Sequence, residues 1–260
     1  MKKVVVCYKW VLDDADIRVN DKTRELDFEK AKGKVNEYDR NALEAGVQIK
    51  NAAECELIGI TCGEKTEPST KDALSRGPDS VQFLDDAVMA TADSRTTSKV
   101  LAAMIKKIGD VDVVIASEGS SDEYAQQVSS RVAALLGMPS VTNVSGIEVN
   151  GDTLKLSRKM DDGVEVVEVA APVMITVVPD VNDPPIPSVK QILGAKKKPA
   201  TAVSLADIGS SADECKAQLS TVSVLAPVVE RKCIRINADG MSLADAAAAL
   251  VKQLQADGVI

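Results

Sequence analysis

The sequence predicts an α/β fold in which helices cover a mostly parallel sheet. Short apolar runs alternate with longer stretches in which apolar residues recur at helical spacing, and this βαβ rhythm is typical of parallel sheets with right-handed crossovers. Hydrophobic residues make up 45% of the 260 residues and aromatic residues only 2%, so the core is aliphatic, as in a sheet buried on both faces. After residue 146 the pattern changes to alternation, which predicts a small antiparallel hairpin region.

The first half of the chain supplies most of the parallel sheet. Buried strands are predicted at residues 4–8, 57–61, 81–84 and 111–116. Helices are predicted between them at residues 37–51, 69–76 and 93–108. A further helix is predicted at residues 122–136, because Ser120 and Glu123 have capping-box spacing and Gly137 with Pro139 ends the apolar stripe.

The second half begins with the hairpin region. Antiparallel strands are predicted at residues 147–149, 154–156 and 164–169, with turns at Asn150-Gly151 and Asp162-Gly163. Residues 173–178 are predicted to return to the buried sheet. The proline-rich segment 179–187 has too few amide donors for a central strand and is predicted to be an exposed loop.

The tail loses strong periodicity from about residue 200 until an alanine-rich helix predicted at residues 242–255. Such a tail is either a disordered linker that ends in a helix or an arm that packs on another chain. We predict an α/β domain at residues 1–199 and a C-terminal arm at residues 200–260.

Composition excludes several classes of function. A formal net charge of −8 argues against a general nucleic-acid binder, and no segment reaches eighteen apolar residues, so no membrane span is expected. The five cysteines are widely scattered, which argues against a zinc or iron–sulfur site and favours reduced thiols in the cytoplasm. There is no histidine, so Ser-His and Cys-His nucleophile pairs are excluded.

Candidate binding residues follow the predicted strands, because ligands of open parallel sheets bind at the carboxyl ends of strands. The first strand ends in Cys7-Tyr8-Lys9 and the second in Thr61-Cys62-Gly63. The fourth is followed by residues 117–122, whose small residues, hydroxyls and predicted helix N-terminus suit a phosphate, although an ordinary capped helix start has the same pattern.

Other candidates also have two interpretations. Asn36 is either a simple N-cap or a ligand residue, and Cys62 is either a small buried hydrophobe or a reactive thiol. The run Lys196-Lys197-Lys198 is either a solvated patch or a contact for an acidic partner.

Several segments in order resemble the beta subunit of electron-transferring flavoproteins over nearly the whole chain. They include Val6-Cys-Tyr-Lys-Trp-Val11, Asn36-Glu-Tyr-Asp39 with Glu37 in place of the usual proline, Thr61-Cys-Gly63, and Asn182-Asp-Pro184 through Lys198. The Fix-type branch, associated with carnitine and acyl-CoA metabolism, is similar at residues 74–79, 119–128 and 186–195.

The resemblance implies a doubly wound, Rossmann-like domain that binds an adenine nucleotide, either AMP or, in bifurcating members, a second FAD. It implies a heterodimer with an alpha subunit that carries FAD, and electron transfer to or from an acyl-CoA dehydrogenase. It implies that Tyr38 faces the alpha-subunit flavin and that a recognition loop within residues 179–198 meets the dehydrogenase, with Val189 as apolar anchor and Lys196, Lys197 and Lys198 as charged contacts.

By position, the nucleotide contacts of the family fall on four stretches of this chain. They are Cys7; Asn36, Glu37, Tyr38 and Asp39; Gly59, Ile60, Thr61 and Cys62; and Ser117, Glu118, Gly119, Ser120, Ser121, Asp122, Glu123, Tyr124, Ala125, Gln126, Gln127 and Val128. Many members have a basic residue where this chain has Glu118, and a carboxylate there would repel a nearby phosphate. The choice between AMP and FAD stays open.

Two rival functions use a similar sheet. A nucleotide hydrolase of the ATP-pyrophosphatase type needs a glycine-rich loop after the first strand, whereas residues 11–16 are acidic and contain no glycine. A nucleotide-sensing module of the universal-stress type is expected to have no long C-terminal arm, whereas the tail of this chain extends from residue 200 to residue 260.

Overall fold

The computed structural model describes residues 1–228, 233–236 and 239–260. Within them the strands are β1 (Lys3–Cys7), β2 (Trp10–Leu12), β3 (Arg18–Val19), β4 (Leu26–Asp27), β5 (Gly33–Val35), β6 (Glu56–Gly63), β7 (Ser80–Asp85), β8 (Val113–Ser117), β9 (Ser140–Asn150), β10 (Thr153–Met160), β11 (Gly163–Ala170), β12 (Val173–Val177) and β13 (Ala200–Ala202). The helices are α1 (Glu37–Ala53), α2 (Ser69–Ser75), α3 (Ser94–Ile108), α4 (Val128–Leu136), α5 (Val189–Ala195) and α6 (Leu243–Ala256).

A nine-stranded sheet forms the centre, in the order β11-β10-β9-β12-β8-β1-β6-β7-β13. All neighbours from β9 to β13 in that order are parallel. Within this sheet the hairpins β9–β10 and β10–β11 are antiparallel, and β2–β5 and β3–β4 form two separate antiparallel pairs. The predicted α/β fold with a small antiparallel region is therefore confirmed.

The sheet is buried on both faces, which makes the fold doubly wound. In β1, Val4 and Val6 point into one apolar cluster, which also contains the buried residues of α1 and α2. Val5 and Cys7 point into the other, which contains those of α3 and α4. This alternation follows from the period of two along a strand, and it explains why the buried strands are continuous apolar runs.

The fourth predicted helix starts later than expected. Residues 118–127 form a loop, and α4 begins only at Val128, so the prediction of a helix from residue 122 and of a capping box at Ser120 was wrong. Tyr124 and Gln126 have φ of 45° and 55°, and the left-handed conformation interrupts a right-handed helix. The end of the helix at Gly137, which has φ of 67°, is as predicted.

The proline-rich segment and the tail lie at the surface. Residues 179–188 are loop with one 3-10 turn, and Ile186 in it is 93% exposed, as predicted. In the tail, Ala200–Ala202 pair with β7, and Val203, Leu205 and Cys215 are buried against α3 and its neighbours. The helix predicted at residues 242–255 is α6, capped by Ser242.

None of the helices in the described ranges is both long and apolar enough to cross a bilayer.

Candidate functional site

A cleft of about 370 Å³ opens at the carboxyl ends of β1, β6 and β8. The chain runs outward from β1 to β6 and β7 and then returns to β8 on the other side of β1. This reversal between β1 and β8 is the topological switch point, where open α/β sheets bind their ligands. The floor of the cleft includes the strand ends Cys7, Cys62 and Ser117.

Most of the residues predicted to bind the nucleotide border this cleft. They are Cys7, Asn36, Asp39, Cys62, Ser117, Glu118, Gly119, Ser120, Asp122, Glu123, Ala125, Gln126, Gln127 and Val128. Gly59, Ile60 and Thr61 are buried inside β6 and do not border it. Glu37, Tyr38, Ser121 and Tyr124 lie beside it on the segments that form its rim.

Tyr8, Lys9 and Gly63, which belong to the strand ends identified from the sequence, also border the cleft. The cleft further contains residues that the sequence did not single out as ligand candidates. They are Trp10, Glu64, Thr66, Met89, Ala90, Ala92, Ser94, Thr97, Leu101, Ala116 and Ser129. Ser94 and Thr97 lie in the first turn of the predicted third helix, so the helix N-terminus rule applied to every crossover would have found them. The apolar wall from Met89 to Ala92 has no such sequence signal.

Asn36 joins α1 to the loop after β8. Its side chain makes no capping bond to α1 although it occupies the N-cap position. Instead its Nδ2 donates to Gly119 O at 3.0 Å, and its Oδ1 accepts from Ser121 N at 3.0 Å. The interpretation of Asn36 as a simple N-cap was therefore wrong, because its amide fixes the loop that forms one wall of the cleft.

Asp39 is the buried acid of the site. It is 5% exposed and accepts from Lys9 N at 2.7 Å and from the Ser117 hydroxyl, which also contacts Gly119 O. Burial raises the pKa of Asp39 to about 6, and the hydrogen bonds from Ser117 and Lys9 only partly oppose this. A carboxyl that titrates near neutrality thus ties the ends of β1 and β8 together.

Lys9 supplies the ammonium group of the cleft. Its Nζ lies 2.7 Å from Asp122 Oδ2 and 4.0 Å from Glu123 Oε2. Burial opposes ionisation of Asp122, but hydrogen bonds from Lys9 and from the Ser120 hydroxyl lower its pKa below the usual range. The pair is about 40% exposed on each side, so its attraction is modest and its main effect is to hold the loop.

Two aromatic rings close the outer side of the loop. The rings of Tyr38 and Tyr124 lie 5.6 Å apart at an angle of 52°. A Cβ added to Gly119 would lie 2.7 Å from Tyr124 Cδ2, so the ring packs directly on the glycine backbone. The side chain of Tyr38 contacts this chain's own loop and is half-buried.

The cysteines of the cleft are neutral thiols. Burial raises the pKa of Cys7 well above its usual range and that of Cys62 to about 12. Since the thiolate is the nucleophile, the interpretation of Cys62 as a small buried hydrophobe is favoured over a reactive thiol. Among the residues described, no cluster of three or more cysteine or acidic side chains has the geometry of a metal site.

The segment 182–198 lies away from the cleft. Asn41 Nδ2 donates to Pro179 O and Asn182 O at 3.0 and 2.8 Å, which fixes the start of the loop on α1. Ser188 and Gln191 form a capping box at the start of α5. Val189 is 73% exposed, and Ile192 and Leu193 on the same face are more than half exposed.

The three lysines after α5 differ in their surroundings. Lys198 Nζ donates to Leu74 O, Gly77 O and Pro78 O at 2.6–3.3 Å and so holds the end of α2. Lys196 and Lys197 are exposed. Of the three, they are the ones whose charge is available at the surface.

The lining of the cleft fits part of a nucleotide. Met89, Ala90 and Leu101 form an apolar wall suited to a base, and Ser94 and Thr97 supply hydroxyls near the start of α3. The charged side chains on the lining are five carboxylates and one ammonium group, of which Asp122 is paired with Lys9 and Asp39 is buried.

The electron transfer flavoprotein domain model matches residues 25–208, more than half of the chain. The chain belongs to the electron transfer flavoprotein family. The match extends from the β3–β4 hairpin to the turn after β13 and so includes all the helices that border the cleft. Members of this family generally bind flavin, as FAD, and work in heterodimers with redox partners.

Proposed function

We propose that the chain is the beta subunit of a heterodimeric electron transfer flavoprotein of the Fix-type branch. In this role it works in the cytoplasm and passes electrons to or from an acyl-CoA dehydrogenase together with an alpha subunit that carries FAD. The observation that carries the proposal is the cleft at the switch point, which gathers most of the family's nucleotide positions in a chain that the family model matches.

The cleft is the proposed site of an adenine nucleotide, either AMP or part of a second FAD. Its volume of about 370 Å³ lies near the lower end of small-molecule sites, ~300–1,000 Å³, and suits the adenosine end of such a ligand. A bound flavin supplies the redox chemistry. The chain's own residues bind and orient the nucleotide. Asn36 and Asp39 hold the loop in place, and the apolar wall excludes water from the base.

The exposed apolar surface of the C-terminal arm supports the proposal that the arm packs on a partner chain. None of the 14 residues of α6 is buried, and Leu243, Leu250 and Val251 on it are exposed. A single helix of this length is marginal alone in water. Packing on the alpha subunit would bury the apolar side chains of α6. We therefore favour the interpretation of the tail as an arm over its interpretation as a disordered linker.

The recognition loop is the proposed contact for the dehydrogenase. Val189, Ile192 and Leu193 form an exposed apolar face at helical spacing, with Lys196 and Lys197 close by for an acidic surface. The loop before them is fixed by Asn41 and its prolines, so little entropy is lost on docking. Lys198 is assigned a structural role, since its ammonium group already contacts three carbonyl oxygens.

The test is the composition and activity of the complex. The chain is co-expressed with its alpha subunit, purified, and analysed for flavin and AMP after denaturation. Two FAD per heterodimer favours bifurcation, and one FAD with AMP favours simple transfer. Reduction of the complex by an acyl-CoA dehydrogenase and its acyl-CoA substrate is expected in a spectrophotometric assay. A chain that forms no complex, or a complex without flavin, would overturn the proposal.

A further inference from the structure

The tail contains a segment that is anchored to the rest of the molecule at its two ends. This strap, residues 218–226, follows the buried Cys215 and contains no helix or strand. Every residue from Gln218 to Leu225 is exposed, whereas Ala226 is partly buried. The strap therefore spans the distance between its ends instead of packing on the surface.

Asp93 anchors the first end of the strap. Its Oδ1 caps α3 by accepting from Thr96 N at 2.8 Å, and its Oδ2 accepts from Gln218 N at 2.9 Å. The amide of Leu219 also donates to this carboxylate. Burial opposes ionisation of Asp93, but these backbone donors lower its pKa to about 2. The carboxylate is therefore fully charged at neutral pH, which strengthens its hydrogen bonds to the strap.

The insertion between β2 and β5, residues 13–32, anchors the second end. Ala226 N donates to Arg24 O at 2.9 Å. Leu225 forms an isolated antiparallel bridge with Glu25 in the same insertion. Both of these contacts are made by the backbone, so the path of the strap is fixed here as well.

The two anchors lie on opposite faces of the sheet. Asp93 begins α3, which packs on the face that contains Val5, and its neighbours Ala92 and Ser94 line the cleft. The insertion leaves β2 after Trp10, which also lines the cleft but packs on the other face. Since α3 and the insertion both follow the carboxyl ends of strands, the strap crosses the edge of the sheet at which the cleft opens.

The strap crosses the mouth of the cleft without entering it. The six residues 220–225 between the anchors can reach about 20 Å when extended. None of the strap residues belongs to the lining of the cleft. A segment that is held by a few exposed hydrogen bonds opens locally at a low cost in free energy, so the strap can move aside without unfolding the sheet.

We propose that the strap is a gate across the mouth of the cleft, which sets how fast the ligand enters and leaves but not how tightly it is held. The inference rests on the proposed nucleotide site and concerns the exchange of the ligand, not its identity. A gate that does not touch the ligand slows association and dissociation by the same factor. The dissociation constant is the ratio of the two rates and stays unchanged.

Two substitutions release the strap at opposite ends. Asp93→Asn keeps an oxygen that can accept from Thr96 N, and asparagine is as good an N-cap as aspartate. Its Nδ2 is a donor, however, and cannot accept from the amides of residues 218 and 219. Ala226→Pro removes the amide that donates to Arg24 O.

The experiment measures the exchange of AMP that carries a fluorescent methylanthraniloyl group on its ribose. The protein is the full-length chain freed of bound nucleotide. Stopped-flow mixing gives the association rate, and a chase with unlabelled AMP gives the dissociation rate. Asp162→Asn in an exposed hairpin turn controls for the loss of one charge, and Ser223→Ala changes the strap between its anchors. Circular dichroism melts check that each variant folds, and because the two anchors lie in different elements, either releasing variant alone suffices.

Both rates are expected to rise about tenfold in Asp93→Asn and about fivefold in Ala226→Pro, because a hydrogen bond to a charged group is the stronger one. The dissociation constant should stay within about twofold of wild type, and the two controls should match wild type in all three quantities. Unchanged rates, or faster dissociation with unchanged association, would overturn the gate while leaving the site intact. A wild-type chain that binds no labelled AMP would overturn the nucleotide site and the gate with it.

Discussion

The buried carboxyl group of Asp39 is predicted to make the stability of the fold depend on pH. Its pKa is near 6 in the fold against 3.8 for an exposed aspartate, because burial disfavours the charge. A folded-state pKa above the unfolded value means that the stabilising contribution is fully present below pH 3.8 and is lost as the pH rises through about 6. The difference between the two values corresponds to about 3 kcal/mol in the free energy of unfolding.

The substitution Asp39→Asn isolates this contribution. An asparagine Oδ1 can still accept from Lys9 N, and its Nδ2 can donate to the Ser117 hydroxyl, which keeps its contact with Gly119 O. The variant therefore keeps the hydrogen bonds and never carries the charge. Relative to Asp39→Asn, wild type is expected to lose about 2.4 kcal/mol of stability between pH 4 and pH 7, because part of the full difference lies below pH 4.

The measurement is urea unfolding from pH 4 to pH 7.5, followed by the fluorescence of Trp10, the one tryptophan in the sequence. Because other carboxyl groups also titrate, only the difference between wild type and variant is interpreted. Asp162→Asn in an exposed hairpin turn is the control and should follow wild type. A difference that stays constant within about 0.5 kcal/mol, or that grows in the opposite direction, would refute the argument.

Three further predictions concern the loop, the arm and the recognition face. Gly119→Ala should displace the Tyr124 ring, since the new Cβ would lie 2.7 Å from it, and cost about 1–3 kcal/mol; an unchanged urea midpoint would contradict the packing. Amides of α6 should exchange at least about tenfold more slowly in the heterodimer than in the free chain; equal protection would contradict packing on the alpha subunit. Val189→Asp should slow electron transfer to the dehydrogenase with flavin content unchanged, whereas Val164→Asp on the exposed edge strand should not; normal transfer by Val189→Asp, or its unfolding, would refute the anchor.

The periodicity of apolar residues predicted most of the fold correctly. In these elements the apolar pattern within one short segment is enough to show which side chains become buried. The strands β1, β6, β7 and β8 and the helices α1, α2 and α3 were each predicted to within a few residues. The two hairpins were also predicted, but their two-residue turns are Gly151-Asp152 and Asp161-Asp162, each one residue away from the predicted turns at Asn150-Gly151 and Asp162-Gly163.

The start of α4 was missed because contacts distant in sequence outweigh local propensity. Tyr124 lies four residues before Val128 and so extends the apolar stripe of the helix, and Ser120 and Glu123 have capping-box spacing. In the fold, Lys9 binds Asp122, Asn36 binds Ser121 N, and the Tyr124 ring packs on Gly119. These partners come from β1, α1 and the loop itself, and no sequence window includes them.

The features of the candidate site likewise divide into those that the sequence predicted and those that depend on the tertiary structure. The sequence by itself determined which strand ends supply residues, because the carboxyl ends of parallel strands share one edge of the sheet. It did not show that the Asn36 amide serves the loop instead of the helix, or that Lys198 is engaged by carbonyl oxygens while Lys196 and Lys197 stay exposed. Only the tertiary structure decided these roles, because a polar side chain bonds to whichever partner the packing of the whole chain brings within about 3 Å.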